Sequence, residues 1–303
     1  MKPSLQSYLQ LHFVVLIFGF TAILGQLISI PPLALVFWRT GLATVGMWAF
    51  LKTQKSTSKA SAGLIIRLLL TGGLVALHWI LFFGSARVSN VSVCLAGLST
   101  SSLWTALLEP LFTHRRLSLV EVFLGLLVMV GLYLIFLFEF NHALGLTMSV
   151  VAALLSALFS IFNSLFARTL EPRRITAYEM AGAWISTTIF LPIYYFLIAP
   201  EEKMNLIPQG WDWLWVLILA GVCTVYAYAA FVRLFQTFSA FVMNLTTNLE
   251  PIYGIILAFL IFGSAEKMTA GFYAGASLIL GAVLLYPILN RWSNRRAKAS
   301  VIS

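Results

Sequence analysis

Residues Ser118–Phe138 read SLVEVFLGLLVMVGLYLIFLF, and Met268–Leu289 read MTAGFYAGASLILGAVLLYPIL. Each run supplies the roughly 20 apolar residues an α-helix needs to cross a bilayer core, and Glu121 is the sole charge in the two together. A buried helix of a water-soluble domain is usually apolar on one stripe only, with charge on the opposite face. The rest of the chain has the same character. Sixty per cent of its 303 residues are apolar, 19 are basic and 10 acidic, and the mean hydropathy is +0.94. A water-soluble domain carries about one charged residue in four. Runs of this kind recur near 8–29, 32–51, 62–84, 91–112, 118–138, 143–167, 176–198, 211–235, 239–263 and 268–289. They predict an all-α integral membrane protein with ten transmembrane helices. The longest polar stretches, Lys52–Ser61 and Pro200–Gly210, are far shorter than the roughly 50 residues of a small domain, so function is expected inside the bundle.

Ten spans put both termini on one side. With the termini and alternate loops inside, 15 of the 19 basic residues gather there, including Lys52, Lys55, Lys59, Arg115, Arg116, Arg168, Arg173, Arg174 and the Arg291–Lys298 cluster. Arg87, Lys203 and Lys267 fall opposite, and Arg39 lies within a span. The positive-inside rule therefore predicts a multi-pass protein of the cell membrane with both termini cytoplasmic. The net charge of +9 follows from this topology and requires no nucleic acid. Lys2 and the first apolar run, without a small-residue cleavage site, read as an uncleaved span. Cys94 and Cys223 lie in apolar runs and read as packing residues.

The two opening runs also resemble one another. Arg115-Arg116-Leu117-Ser118 with Gly125 and Gly131 is echoed 150 residues on by Glu266-Lys267-Met268-Thr269 with Gly275 and Gly281. Halves with an odd number of spans enter the membrane with opposite polarity, so the expectation is two inverted five-helix repeats, residues 1–140 and 143–290, followed by a basic cytoplasmic tail at 291–303. Glu109-Pro110 and Glu250-Pro251, 141 residues apart, miss that register by nine and are not equivalent positions.

On these residues the chain resembles the EamA group of the drug/metabolite transporter superfamily. Pro31-Pro32, Phe37-Trp38-Arg39, the Ser/Thr-rich fourth span, the Arg115–Gly131 segment, Leu249-Glu250-Pro251 and Glu266-Lys267-Met268-Thr269 with Gly281 carry the resemblance. Relatives often have Gly-Glu-Arg where His114-Arg115-Arg116 stands, so no acidic role transfers to that junction. The resemblance implies a transporter with two five-helix repeats, fifth and tenth spans packed together, and substrates that include amino acids and other metabolites.

Polar groups within spans carry the site expectations, because each is costly in lipid unless it meets a partner or a wet cavity. Along span 9, Asn244, Thr247, Asn248 and Pro251 fall at i, i+3, i+4, i+7, beside a second stripe of Thr246, Glu250 and Tyr253. Glu250 is the deepest acid, placed either to bind a substrate ammonium or to carry a coupling proton. Arg39 reads as structural or charge-balancing. His78 with Trp79 in span 3, Ser101 in span 4, Ser160 and Asn163 in span 6, and one of Tyr226 and Tyr228 in span 8, with Tyr226 preferred, complete the candidate substrate site. Gly271 and Gly275 form a G-x-x-x-G helix contact. Glu109, Glu179 and Arg67 lie near cytoplasmic span ends, where interfacial ion pairs account for them.

Three function classes follow. A secondary transporter, moving a small metabolite such as an amino acid outward by alternating access, accounts for the inverted repeats and inward polar stripes. A channel or scaffold is the alternative. An intramembrane enzyme lacks its parts, since neither H-E-x-x-H nor an activated serine is present. No phosphate-binding loop, metal motif or cofactor motif occurs, so the expected partners are a small-molecule substrate, the bilayer and a coupling proton.

Overall fold

The computed structural model describes residues 3–53, 60–113, 118–138, 140–198, 205–263 and 268–299, in which helix is the sole regular secondary structure. In chain order the α-helices are α1 (Leu5–Leu27), α2 (Pro32–Lys52), α3 (Ala62–Val88), α4 (Val91–Leu98), α5 (Ser101–Thr113), α6 (Leu119–Phe138) and α7 (Ala143–Phe166). They continue with α8 (Pro172–Ile193), α9 (Asp212–Ile218), α10 (Ala229–Leu234), α11 (Ala240–Thr247), α12 (Glu250–Phe262) and α13 (Ala270–Ala299). Residues 114–117 and 264–267, which hold the charged half of the 150-residue echo, lie outside the described residues, as do Lys55, Lys59 and Lys203.

Local chemistry sets the starts. The side chains of Ser4, Ser61, Asn90 and Ser239 each accept a hydrogen bond from the amide three residues on, capping α1, α3, α4 and α11. Pro32 and Pro172 occupy first turns, where a missing N–H costs nothing. Seven helical stretches are long and apolar enough to cross a membrane: Leu5–Leu27, Pro32–Lys52, Ala62–Val88, Val91–Thr113, Ala143–Phe166, Asp212–Leu234 and Ala240–Phe262. Leu119–Ile135 and Ala270–Tyr286 are shorter apolar stretches. Helix α8 starts four residues before the expected run and carries Arg173, Arg174 and Glu179, which dilute its hydropathy. Many large apolar side chains, Leu70, Leu111, Leu119 and Leu260 among them, point outward, as lipid contact requires.

Two spans are interrupted. Ser99-Thr100 separates α4 from α5, and Asn248-Leu249 separates α11 from α12. A third changes winding: Leu219–Tyr228 is π-helical between α9 and α10, and Thr224 Oγ1 donates to Leu219 O, five residues back, at 2.8 Å.

Close approaches lock the frame. α3 packs on α7 and α8, α2 on α8, α1 on α12, and α6 on α13. The α6–α13 crossing is reciprocal. A Cβ on Gly131 would meet Gly275 O at 2.6 Å, and one on Gly275 would collide with Gly131 O. Gly275 thus makes the close contact expected of it, with its partner on α6, while Gly271 is half-buried. At the ends of α1 and α9, Asp212 accepts from the Ser29 amide at 3.0 Å and the Ser29 hydroxyl at 2.5 Å. Arg87 donates to Ile28 O at 2.6 Å beside them.

Candidate functional site

A cavity opens between the helices, walled by α1, α2, α3, the α4–α5 and α11–α12 breaks, α7 and the eighth span. Arg39, His78 and Trp79 stand on one side. Asn244, Thr247 and Glu250 stand on another, with Ser101, Ser156, Phe159 and Tyr228 between them.

Arg39 is 2% exposed. Its Nε donates to Thr224 Oγ1 at 2.8 Å, and its guanidinium carbon sits 3.7 Å above the Trp79 ring, a cation–π arrangement that fixes the planar group. Among the described residues no carboxylate pairs with it. Glu250 begins α12, so the positive end of that helix's dipole faces the cavity, and no hydrogen-bond or ion-pair partner for its carboxyl occurs among the described residues. One cavity therefore holds a cation and an acid with neither satisfied by the other.

The remaining polar groups are anchored from behind. His78 Nδ1 lies 2.7 Å from Ala152 O, and because a carbonyl only accepts, Nδ1 carries hydrogen and Nε2 is left for the cavity side. Asn244 bridges helices, donating to Thr105 Oγ1 at 2.7 Å and accepting from Ser160 Oγ at 3.1 Å. Thr247 Oγ1 donates to Asn244 O at 2.8 Å. Behind the wall, Tyr228 Oη donates to Glu179 Oε2 at 3.0 Å, with Asn163 Nδ2 3.4 Å from the same oxygen.

Of the residues expected from sequence, Glu250, Thr247, His78, Trp79 and Ser101 line the cavity, together with Arg39. Ser160 and Asn163 stand one layer back, supporting Asn244 and Tyr228. Asn248 and Pro251 face a different space against α13, and Asn248 Nδ2 donates to Ser102 Oγ at 2.9 Å. The stripe that joined them to Asn244 and Thr247 assumed one continuous helix, and the chain breaks after Thr247. Tyr226 is 48% exposed and meets Phe13 edge-on, whereas Tyr228 is 3% exposed and lines the cavity. The π winding of that span shifts the face expected from an α-helical period.

Glu179 also departs from expectation. It is fully buried on the eighth residue of α8, facing Tyr228 and Asn163, rather than ion-paired at an interface. Its sequence signal was the small-residue spacing around it: Gly72 on α3 and Gly182 on α8 have no room for a side chain, which draws the two helices together at that level.

The comparisons agree with this architecture. A solved crystal structure 16% identical in sequence superposes with a TM-score of 0.68, covering 94% of this chain and 98% of that one, which establishes a shared fold. Over 149 residues, 49% of this chain, the sequence is 26% identical to an uncharacterized transporter of Synechocystis sp.; the match spans 41% of that relative's length. The profile of the EamA-like transporter family matches residues 6–137 and again residues 143–286. With both stretches matched across nearly its whole length, and with a polar cavity enclosed by apolar helices, this chain belongs to the EamA-like transporter family.

Proposed function

We propose that the protein is a secondary transporter that exports a small zwitterionic metabolite, an amino acid being the simplest case, by alternating access between two inverted five-helix halves. Residues 1–140 and 143–290 form the halves, ten spans cross the cell membrane, and both termini are cytoplasmic. The observation that carries the reading is the cavity, where Arg39 and Glu250 come from different halves and neither has an ion-pair partner among the described residues. An ammonium on Glu250 and a carboxylate toward Arg39 would satisfy both groups at once, with Ser101, Asn244, Thr247 and His78 Nε2 as hydrogen-bonding partners. Trp79 and Phe159 supply apolar wall for the rest of the molecule.

Two further features support the halves. From Ser99 to Asn248, the first residues of the two breaks, is 149 residues, within one of the spacing between the glycine pairs. Discontinuous helices at corresponding positions of two repeats are a common way for carriers to place backbone and side-chain groups around a substrate. The Ser29–Asp212 contacts, on the side assigned as external, hold the loop ends of α1 and α9 together and would open when substrate leaves.

Counterflow in proteoliposomes tests the reading. Vesicles loaded with unlabelled amino acids should accelerate uptake of the same radiolabelled amino acid, and the flux should saturate. Flux that rises linearly with concentration and ignores the trans side would make the protein a channel. Reporter fusions after Ser56 and Asn205 should read as cytoplasmic and external respectively; matching or reversed readings would overturn the inverted topology.

A further inference from the structure

We infer that Glu179 is a proton-binding site of its own, distinct from the cavity carboxyl Glu250, with Tyr228 and Asn163 as its positioning residues. The inference deepens the carrier reading only in giving that proton a role in transport; the site itself stands on local geometry. Glu179 is fully buried, and its two oxygens are treated very differently. Oε2 accepts from Tyr228 Oη at 3.0 Å and lies 3.4 Å from Asn163 Nδ2, which also reaches the Tyr228 oxygen at 3.3 Å. Oε1 has no partner, and neither does the buried Oδ1 of Asn163. Every hydrogen the three groups contribute to one another is spent around Oε2 and Oη, while two buried acceptors are left without a donor. Buried acceptors in that state are costly, and native interiors rarely keep them.

One added proton turns the unpartnered Oε1 into a hydroxyl and removes the buried charge behind it. The step is a single O–H bond formed on Oε1, converting the carboxylate to the acid with no other bond broken. A metal cation is a poorer fit, because the donor set amounts to one carboxylate oxygen and one amide oxygen. Among the described residues no charged side chain is hydrogen-bonded or ion-paired to the carboxyl. Tyr228 is the titratable group facing Glu179 from the eighth span; Arg39 on α2 stands on the face of Trp79, whose ring meets the Tyr228 ring edge-on. Helix α3 presents Gly72 at this level, and Arg67 on α3, Lys52 on α2 and Arg233 on α10 are exposed at the helix ends.

The site communicates with the cavity through packing. The Tyr228 ring lines the cavity and meets the Trp79 ring edge-on at 5.7 Å, and Trp79 carries the Arg39 guanidinium on its face. Hydrogen bonds to a charged acceptor are roughly twice as strong as those to a neutral one. A proton on Glu179 therefore loosens the bonds that tie α8 to α7 and to the eighth span, and frees the Tyr228 ring beside the substrate clamp. The assignment divides labour between the two acids: Glu250 meets the substrate, and Glu179 holds the coupling proton.

The test is infrared difference spectroscopy of the purified full chain in phosphatidylcholine vesicles, between acid and alkaline pH. The wild-type chain should show a titrating carboxylic C=O band that Glu179→Gln removes and Glu250→Gln leaves in place. Tyr228→Phe should keep the band and displace its midpoint, and replacing sodium with choline should change nothing. A band that survives Glu179→Gln, or that follows sodium, overturns the proposal. If Glu179→Gln does not fold, an unmoved midpoint in Tyr228→Phe overturns it instead. In counterflow with radiolabelled amino acids, Glu179→Gln should lose accumulation driven by an imposed proton gradient while exchange continues, and retained gradient-driven accumulation refutes the coupling role. A wild-type chain without counterflow but with the Glu179 band would refute the carrier reading alone, so the two failures are separable.

Discussion

The α4–α5 and α11–α12 helices break at matching places, yet they use their polar residues in opposite ways. At the first break the hydroxyls turn back on their own chain: Ser99 Oγ donates to Leu95 O, Thr100 Oγ1 to Gly97 O and Thr105 Oγ1 to Ser101 O. At the second, Asn244 and Asn248 reach across to α5, and Glu250 is left open to the cavity. Short hydroxyl side chains can satisfy the carbonyl one turn back, whereas amides and carboxyls reach a neighbour. The first break is thus largely self-sufficient and serves as a wall. The second depends on what it faces, so on the proposed carrier function it is the one that would respond to a ligand.

The largest effect should come from removing that dependence. Glu250→Gln should reduce amino-acid counterflow by roughly 30-fold or more, from the roughly 2 kcal/mol or more that truncating one partner of a buried charged contact costs. Ser101→Ala, at the first break, should change it by about twofold. Equal losses in both variants would erase the contrast.

Next comes accessibility. In a chain lacking Cys94 and Cys223, cysteines at Ser101 and Thr247 should react with a water-soluble thiol reagent and be shielded by amino acids. Cysteine at Ser160 should be slow, because that side chain is buried against Asn244. Cysteine at Asn248 should react without shielding, since its space lies against α13. Shielding at Asn248 would merge the two spaces into one pathway.

Smaller effects belong to stability. Thr105→Val takes the acceptor from Asn244 Nδ2 and should cost about 1 kcal/mol in detergent unfolding. Thr100→Val removes a bond within one turn and should cost less than about 0.5 kcal/mol. The smallest should be Pro251→Ala, which adds an N–H in the first turn of α12, where no intrahelical acceptor is required, so stability and flux should stay near wild type.

How much of this was legible in the sequence depends on how regular the backbone is. Along the uninterrupted α3, the seven-residue spacing that joins Thr71, His78 and Ser85 puts His78 on the cavity side, whereas on the equally regular α7 Ser160 and Asn163 lie one layer behind it. Where winding changes, such spacing fails. A π segment is indistinguishable from α in composition, so the sequence does not say that Tyr228 rather than Tyr226 faces the cavity, and nothing in Thr-Asn-Leu-Glu-Pro says on which residue the ladder stops. Glu179 was misplaced for another reason. Depth along a span was judged from hydropathy, and the arginines at 173 and 174 hid the helix that begins at Pro172 and carries Glu179 two turns inward. Glu109-Pro110 and Glu250-Pro251 show register arithmetic succeeding: Pro110 lies inside α5 well past its break, while Pro251 follows its break directly.

The interrupted span can also be viewed as a lever. The second arm of the α11–α12 span, α12, has 13 residues and is about 20 Å long at 1.5 Å per residue. At the Asn248-Leu249 joint the bonds tighten to three-residue turns, Asn248 N to Leu245 O and Leu249 N to Thr246 O, so bending there disturbs few contacts of either arm. A pivot of about 10° at such a fulcrum would carry the far end of the arm roughly 3 Å, enough to move a thin barrier by an atomic diameter. The same rotation would barely displace Glu250, which sits at the pivot itself, so the acid can keep its grip while the arm beyond it swings.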